Sequence, residues 1–224
     1  TRDWSSDVCS SDLEHDLELI ENLMDRLSHF EMRPSQLEMM KAKDRKAKIK
    51  AGYLDLLEKE KATYLDIKNG SLAKYSPKYL ATVMNIKKQA SRGKIFVYSQ
   101  FLSLIGLNTF SLVLEQTGEW TPFRIKKINK MWEMETTPGD EGKYRYMFYT
   151  GDEDREKRDI LIKIINSDWN TLPADCEKLV KQLRAIHGNN YKGEIIKMLM
   201  TTKTGAEGLD LHEIRFIHIL EPYW

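Results

Sequence analysis

The stretch from Ile195 to Trp224, IIKMLMTTKTGAEGLDLHEIRFIHILEPYW, decides the fold of this chain. Residues 196–200 are apolar apart from Lys197, which is the pattern of a strand buried on both faces of a parallel sheet. A loop with two glycines follows at once, and residues 216–220 form a second apolar run. The stretch therefore predicts two parallel strands, with Glu221 at the carboxyl end of the second, where open parallel sheets bind ligands.

The loop after the first of these strands carries groups that suit an anionic ligand. Gly205 and Gly208 allow a close approach of backbone, and the carboxylate of Asp210 can accept hydrogen bonds from ribose hydroxyls. Thr202 supplies a hydroxyl group and Lys203 a positive charge. On spacing alone, a plain turn is the commoner explanation of such a loop, so a ligand site needs support from the rest of the chain.

The whole string is more specific than its glycines, because it resembles motif V of the second RecA-like lobe of superfamily 2 helicases and Swi/Snf-type ATPases. In that motif a Thr precedes the last residue of Gly-Leu-Asp by eight positions, an interval that Thr202 and Asp210 keep. Residues 221–224, Glu-Pro-Tyr-Trp, are similar to the acidic-Pro-x-Trp of Swi/Snf-type proteins. The combination most resembles the Swi/Snf-related ATPases of large DNA viruses, a group that includes poxvirus nucleoside triphosphatase I and the small subunit of the early transcription factor.

Residues 94–101, KIFVYSQF, predict another buried strand that ends in polar residues. The strand with its Ser-Gln-Phe ending resembles motif IV of the same proteins. A hydroxyl group at Ser99 and an amide at Gln100 can bond to a phosphate or a sugar without reading sequence. Ordinary capping of a strand end is the alternative.

Residues 144–149 predict a third strand, which runs into Thr150 and Gly151 and then into a helix. The segment resembles the helicase pattern Gly-Asp-x-x-Gln-x-x-Arg, with Arg155 in place of the Gln and Arg158 at the Arg position. A glycine turn at a helix N-terminus with two arginines suits a phosphate group. The alternative is a helix whose surface arginines are balanced by neighbouring acids.

Strands near residues 95, 144, 196 and 216 alternate with helical patterns. This order predicts an α/β fold, a RecA-like lobe with a mostly parallel sheet flanked by helices, over residues 75–224. We interpret the aromatic residues of the polar stretch 119–143 as anchors of a loop on this lobe, although they could also stack on bases.

Two segments precede the lobe. Residues 2–13 resemble translated sequencing adapter, so we treat residues 1–13 as an artefact or a disordered tail. Residues 14–74 predict a charged helical arm or insertion. Its lysine run over residues 41–50 could contact nucleic-acid phosphates, or it could be a solvated face balanced by nearby acids.

Composition limits the other functions. The chain has 224 residues, of which 41% are hydrophobic and 31% charged, and its net charge is +1, so contact with nucleic acid requires a local basic patch. Without Cys9, only Cys176 remains, which excludes a disulfide framework and a cysteine-based zinc site. His212 and His218 lack a third ligand, so we expect no metal site. No apolar run is long enough to predict a membrane partner, and we expect an intracellular protein, in a virion or in a viral factory of the host cytoplasm.

The chain contains no G-x-x-x-x-G-K-[ST] loop, and the resemblance places that loop in a preceding lobe and motif VI after Trp224. It implies the C-terminal half-motor of a nucleic-acid-dependent ATPase that uses ATP and Mg²⁺, whereas the fragment alone binds neither and is inactive. The implied partners are double-stranded DNA, the missing N-terminal RecA-like lobe, and RNA polymerase or transcription factors. The implied nucleotide-binding residues are Gly205, Gly208 and Asp210, and the implied nucleic-acid-binding residues are Ser99, Gln100, Thr150, Gly151, Arg158, Thr202 and Lys203.

Two other functions stay open. One is a non-catalytic RecA-like interaction module in a transcription complex, and the other is a glycosyltransferase-like nucleotide-binding lobe, which the paired motifs disfavour. The half-motor hypothesis makes a structural prediction, namely that Thr202, Asp210, Ser99 and Gly151 lie along one edge of the sheet.

Overall fold

The computed structural model describes residues 52–102, 106–151, 153–203 and 208–221. The predicted adapter segment, most of the charged arm and Gly205 lie outside these residues. The chain divides into two compact units. Within the described residues, the first unit comprises residues 52–81, 101–102 and 106–117, and the second comprises residues 82–100, 118–151, 153–203 and 208–221.

The first unit is helical. Residues 52–59 are helical, and the following helices are α1 (Lys61–Tyr64), α2 (Ser71–Tyr75), the first five residues of α3 (Pro77–Gln89), and α4 (Leu107–Gln116). The ring of Tyr79 packs on that of Phe110 with 5.3 Å between centroids, and the Tyr79 hydroxyl group donates a hydrogen bond to the Gly106 carbonyl. The helix α3 begins at Pro77, and proline is favoured at the first position of a helix.

The second unit contains a five-stranded sheet in the order β2-β5-β6-β1-β7. Its strands are β1 (Lys94–Tyr98), β2 (Trp120–Pro122), β5 (Tyr144–Tyr149), β6 (Met198–Thr201) and β7 (Ile214–Ile219). Every pairing in the sheet is parallel. Together with the helices that flank it, this sheet confirms the predicted α/β fold of RecA-like type.

Two amphipathic helices, α5 (Arg155–Ile165) and α6 (Glu177–Ile186), place their apolar faces in one core with the sheet. This core includes Ile164 and Leu183 from the helices and Leu199 from β6, each with no exposed surface. Full burial of one such side chain contributes roughly 1.5–3 kcal/mol to folding. None of the helices in the described ranges is long and apolar enough to cross a bilayer.

The polar stretch 119–143 contains structure that the sequence analysis did not predict. It holds β2, at the edge of the sheet, and an antiparallel hairpin of β3 (Ile125–Ile128) and β4 (Met131–Met134). Trp120 and Trp132 are almost fully buried, which confirms the interpretation that they anchor this stretch. The strands were missed because they are three or four residues long, too short to show a period of two.

Candidate nucleic-acid interface

Four strands of the sheet end on the same rung. Tyr149 of β5 pairs with Thr201 of β6, which pairs with Tyr98 of β1, which in turn pairs with Ile219 of β7. Since all four strands are parallel, their carboxyl ends form one edge, with neighbouring strands about 4.8 Å apart. The residues that follow this rung therefore stand in a row, which we call the carboxyl edge.

Six of the predicted nucleic-acid-binding residues occupy the first two positions beyond the rung. They are Thr150 and Gly151 after β5, Thr202 and Lys203 after β6, and Ser99 and Gln100 after β1. On β7 the corresponding residues are Leu220 and Glu221. Thus the structure assembles, from three segments of the chain, the hydroxyl, amide and basic groups that the sequence analysis predicted as a site.

The two positions beyond the rung differ in exposure. The first residues, Ser99, Thr150 and Thr202, are buried, whereas Gly151 and Lys203 at the second position are exposed. Buried hydroxyl groups here bond to neighbouring strand ends. Within the last rung, Thr201 Oγ1 donates to the carbonyl oxygen of Tyr149 at 2.7 Å. At the edge, therefore, the first residues face inward, and Gly151 and Lys203 at the second position are accessible to solvent.

Arg158 lies beside this edge. It sits in the first turns of α5, whose amino end is capped by Asp154 through a hydrogen bond from the Lys157 amide at 2.9 Å. The Arg158 guanidinium lies 5.9 Å from the ring centroid of Tyr149, and its Nε is buried without a hydrogen-bond partner among the described residues. A guanidinium that packs on a ring at the end of β5 can direct its remaining N–H groups to a phosphate.

Asp210 does not share the carboxyl edge, so this part of the structural prediction is wrong. The Asn166 side-chain amide donates to the Asp210 carbonyl oxygen at 2.9 Å and accepts from the His212 amide at 3.0 Å. Asn166 follows the last residue of α5, beside the amino ends of the strands, where Lys94 of β1 bonds to the Ile165 carbonyl. The physical reason is topological, because a chain that leaves β6 must return to the amino end of the sheet before it enters the parallel strand β7.

The region of Asp210 is nevertheless exposed to solvent. The Asp210 side chain is 89% exposed, with His212 Nε2 3.5 Å from Oδ2. Gly208 has φ +74°, which favours glycine, and a Cβ added there would meet no heavy atom within 4 Å. An exposed carboxylate fits a ribose hydroxyl group. No group of three or more His, Cys, Asp or Glu side chains that could hold a metal ion occurs in the part of the chain that the structure describes.

Two contacts in this region could not be predicted from the sequence. One is the bracket that Asn166 makes around residues 210–212, and the other is a hydrogen bond from Ser99 Oγ to Glu221 Oε2. The Ser99 and Glu221 positions are 122 residues apart, and no local pattern relates them. The only available signal was that both residues follow predicted strands.

The parallel sheet and its flanking helices define an α/β lobe of RecA type. The termination factor NPH-I homolog of African swine fever virus, from a Namibian warthog isolate, is 30% identical over 166 residues, or 66% of this chain and 21% of that protein. The homolog from a Malawian tick isolate gives the same identity and coverage. A protein of Acanthamoeba polyphaga mimivirus, for which the name ATP-dependent RNA helicase is proposed, is 24% identical over 159 residues, or 71% of this chain and 22% of that protein.

These similarities support a helicase-like protein of viral type. The chain spans about a fifth of the length of the curated relatives that it matches. No protein-family model matches the sequence.

Proposed function

We propose that this chain is the C-terminal half-motor of a nucleic-acid-dependent ATPase, a helicase or translocase of Swi/Snf type that acts in viral transcription. The observation that carries the proposal is the carboxyl edge, where three adjacent strands present Gly151, Lys203 and Gln100. The names of the relatives, a termination factor and an ATP-dependent RNA helicase, agree with such a function.

The carboxyl edge suits the sugar-phosphate backbone of double-stranded DNA. Backbone N–H groups at Gly151, the Gln100 amide and the Lys203 ammonium can bond to phosphate oxygens, and none of them reads a base. Arg158 adds a guanidinium beside the end of β5. We therefore expect binding that does not depend on sequence and weakens as salt is added.

The nucleotide would contact a different surface. Gly208 and Asp210 lie on the return from β6 to β7, and Asp210 would accept a ribose hydroxyl group. ATP with Mg²⁺ supplies the phosphoryl group that is transferred to water, and positioning it requires charged groups from both lobes of such a motor. This chain has no phosphate-binding loop of its own, so we expect no hydrolysis from it without the other lobe.

The proposal is tested by fluorescence anisotropy with a labelled DNA duplex and the 224-residue chain. Lys203→Ala and Gln100→Ala should each weaken binding by roughly 3- to 10-fold, and Lys203→Ala should reduce the slope of log K against log [salt] by about 1. Lys88→Ala is the matched control, because Lys88 is an exposed lysine of α3 close to the amino end of β1.

Equal effects of Lys203→Ala and Lys88→Ala would contradict the proposed edge. Absence of duplex binding by the unaltered chain at 50 mM salt would instead favour the non-catalytic interaction module. In a parallel assay, phosphate release from ATP and Mg²⁺ by this chain should stay at the buffer level with and without duplex.

A further inference from the structure

The carboxyl edge changes character at its β7 end. Glu221 stands one strand beyond Gln100 and two strands beyond Lys203, with about 4.8 Å per strand. A nucleic-acid strand that followed the whole edge would therefore pass from an ammonium to an amide to a carboxylate. Because a carboxylate only accepts hydrogen bonds, it cannot bond to a phosphate oxygen, and it repels the phosphate charge.

The backbone before Glu221 and the Glu221 carboxylate are each held by one hydrogen bond. The amide of Leu220 donates to the carbonyl oxygen of Tyr98 at 2.8 Å, which continues the ladder between β7 and β1. Ser99, which is completely buried, donates its hydroxyl group to Glu221 Oε2. A side chain bonded to a buried partner loses the freedom to turn away from the edge, so the negative charge stays in the row.

The exposed surface of β7 is apolar in the half of the strand next to the carboxyl edge. Ile217 and Ile219 point to one face of this strand and are 66% and 59% exposed. Neither side chain can donate a hydrogen bond to a phosphate or a sugar. The polar, positively charged part of the edge thus ends at β1.

We propose that Glu221 is a specificity-determining residue that ends the phosphate path at β1, and that Ser99 is the positioning residue that holds Glu221 there. The path then covers the ends of β5, β6 and β1 and leaves the edge before β7. This inference rests on the proposed function, and it assigns Ser99 a role through Glu221 in place of direct contact with the nucleic acid.

Glu221→Gln tests the charge while it keeps the shape and the acceptor for Ser99. In the anisotropy assay with the 224-residue chain and a labelled DNA duplex at 50 mM salt, it should tighten binding by about 2- to 5-fold. The slope of log K against log [salt] should become steeper by up to about 0.9, because one more phosphate comes within reach of the edge. Glu213→Gln is the matched control, since it removes an exposed acid next to the opposite end of β7 and should change neither quantity.

Ser99 is tested by whether its effect depends on Glu221. Ser99→Ala should change the salt slope in the unaltered background and leave it unchanged in the Glu221→Gln background, whereas Ser99→Thr, which keeps the hydroxyl group, should restore the original slope. Circular dichroism and a thermal melt of each variant identify any loss of folding. Glu221 is only half-buried, so Glu221→Gln still tests the proposal if Ser99→Ala does not fold.

The outcomes separate the two proposals. If Glu221→Gln binds the duplex only as tightly as Glu213→Gln does, or more weakly than the unaltered chain, the proposed phosphate boundary is overturned. In that case Lys203→Ala still tests the carboxyl edge. An equal effect of Ser99→Ala in both backgrounds overturns the positioning role. If the unaltered chain binds no duplex, the proposed function fails first.

Discussion

At the scale of single residues, Lys94 buries a charged ammonium group that joins a strand to a helix. It is the first residue of β1 and has no exposed surface, and its Nζ donates to the carbonyl oxygen of Ile165 at 2.8 Å. That carbonyl belongs to the last residue of α5 and has no partner within the helix. An ammonium at a helix C-terminus also interacts favourably with the helix dipole. Lys94 therefore ties α5 to the amino end of the sheet.

The loss in the free energy of unfolding on replacement of Lys94 should depend on which of its atoms and contacts the substitution removes. Lys94→Ala removes the buried methylene groups and the hydrogen bond, so we expect a loss of about 2–4 kcal/mol in the free energy of unfolding. Lys94→Met keeps most of the volume and should lose less, about 0–2 kcal/mol. Urea titrations followed by circular dichroism measure both values, and equal losses would contradict the packing role of the methylene groups.

The pH dependence of these variants tests the burial of the charge. Burial lowers the pKa of Lys94 from its ordinary value, against the opposing effect of Glu213, Glu194 and Asp168. The folded state then releases the proton at lower pH than the unfolded state, so stability from this group increases as pH rises toward that ordinary value. As the pH is raised from neutral toward the ordinary lysine pKa, the native chain should gain stability relative to Lys94→Met in urea titrations. A constant difference would show that the amine is not desolvated.

At the scale of elements, the hairpin of β3 and β4 is attached to both helices. Trp132 Nε1 donates to Glu156 of α5 at 3.1 Å, and Lys127 forms an ion pair with the same carboxylate at 2.8 Å. Gln182 of α6 accepts from the Met134 amide at 2.7 Å. These contacts come from distant parts of the sequence, which is why no local pattern in residues 125–134 predicted an ordered hairpin.

The two-residue turn of this hairpin carries strain that can be relieved. Asn129 and Lys130 have φ angles of +50° and +66°, as a type I′ turn requires, and Asn-Gly is the preferred pair for that turn. Lys130→Gly should therefore raise the free energy of unfolding by about 0.5–1 kcal/mol. Lys130→Ala, which removes the same side chain but keeps a Cβ, is the control and should give no gain. A gain of equal size in both variants would point to the lysine charge instead of the backbone.

At the scale of the whole molecule, a net charge of +1 means that any attraction to nucleic acid is local. In the proposed function, the cations that would contact phosphates at the carboxyl edge are Lys203 and Arg158. Counterion release by two cations then predicts a slope of log K against log [salt] of about −2 for a duplex, compared with about −10 for a protein with an extensive basic surface. Anisotropy titrations between 50 and 200 mM salt measure this slope. A value near zero would contradict phosphate contacts at the edge.

Much of the fold and part of the candidate site were predictable from the sequence. The strands β1 and β6 have the apolar runs that a buried parallel sheet requires, and β5 and β7 are rich in aromatic and β-branched residues, so the positions of all four along the chain followed from local patterns. The helix predicted after Gly151 is α5, whose apolar face packs in the core with the sheet. The exposures of Ser99 and Lys203 were not predictable, since burial at a strand end depends on what neighbouring strands place beside it.

The sequence by itself determined which segments are strands and helices and which polar groups stand at strand ends, because periodicity and turn residues act over a few positions. Only the tertiary structure decided the register that aligns Tyr149, Thr201, Tyr98 and Ile219 on one rung, and with it the row of groups beyond them. It also decided that Asp210 leaves this row, since the return path to a parallel strand is a property of the complete sheet.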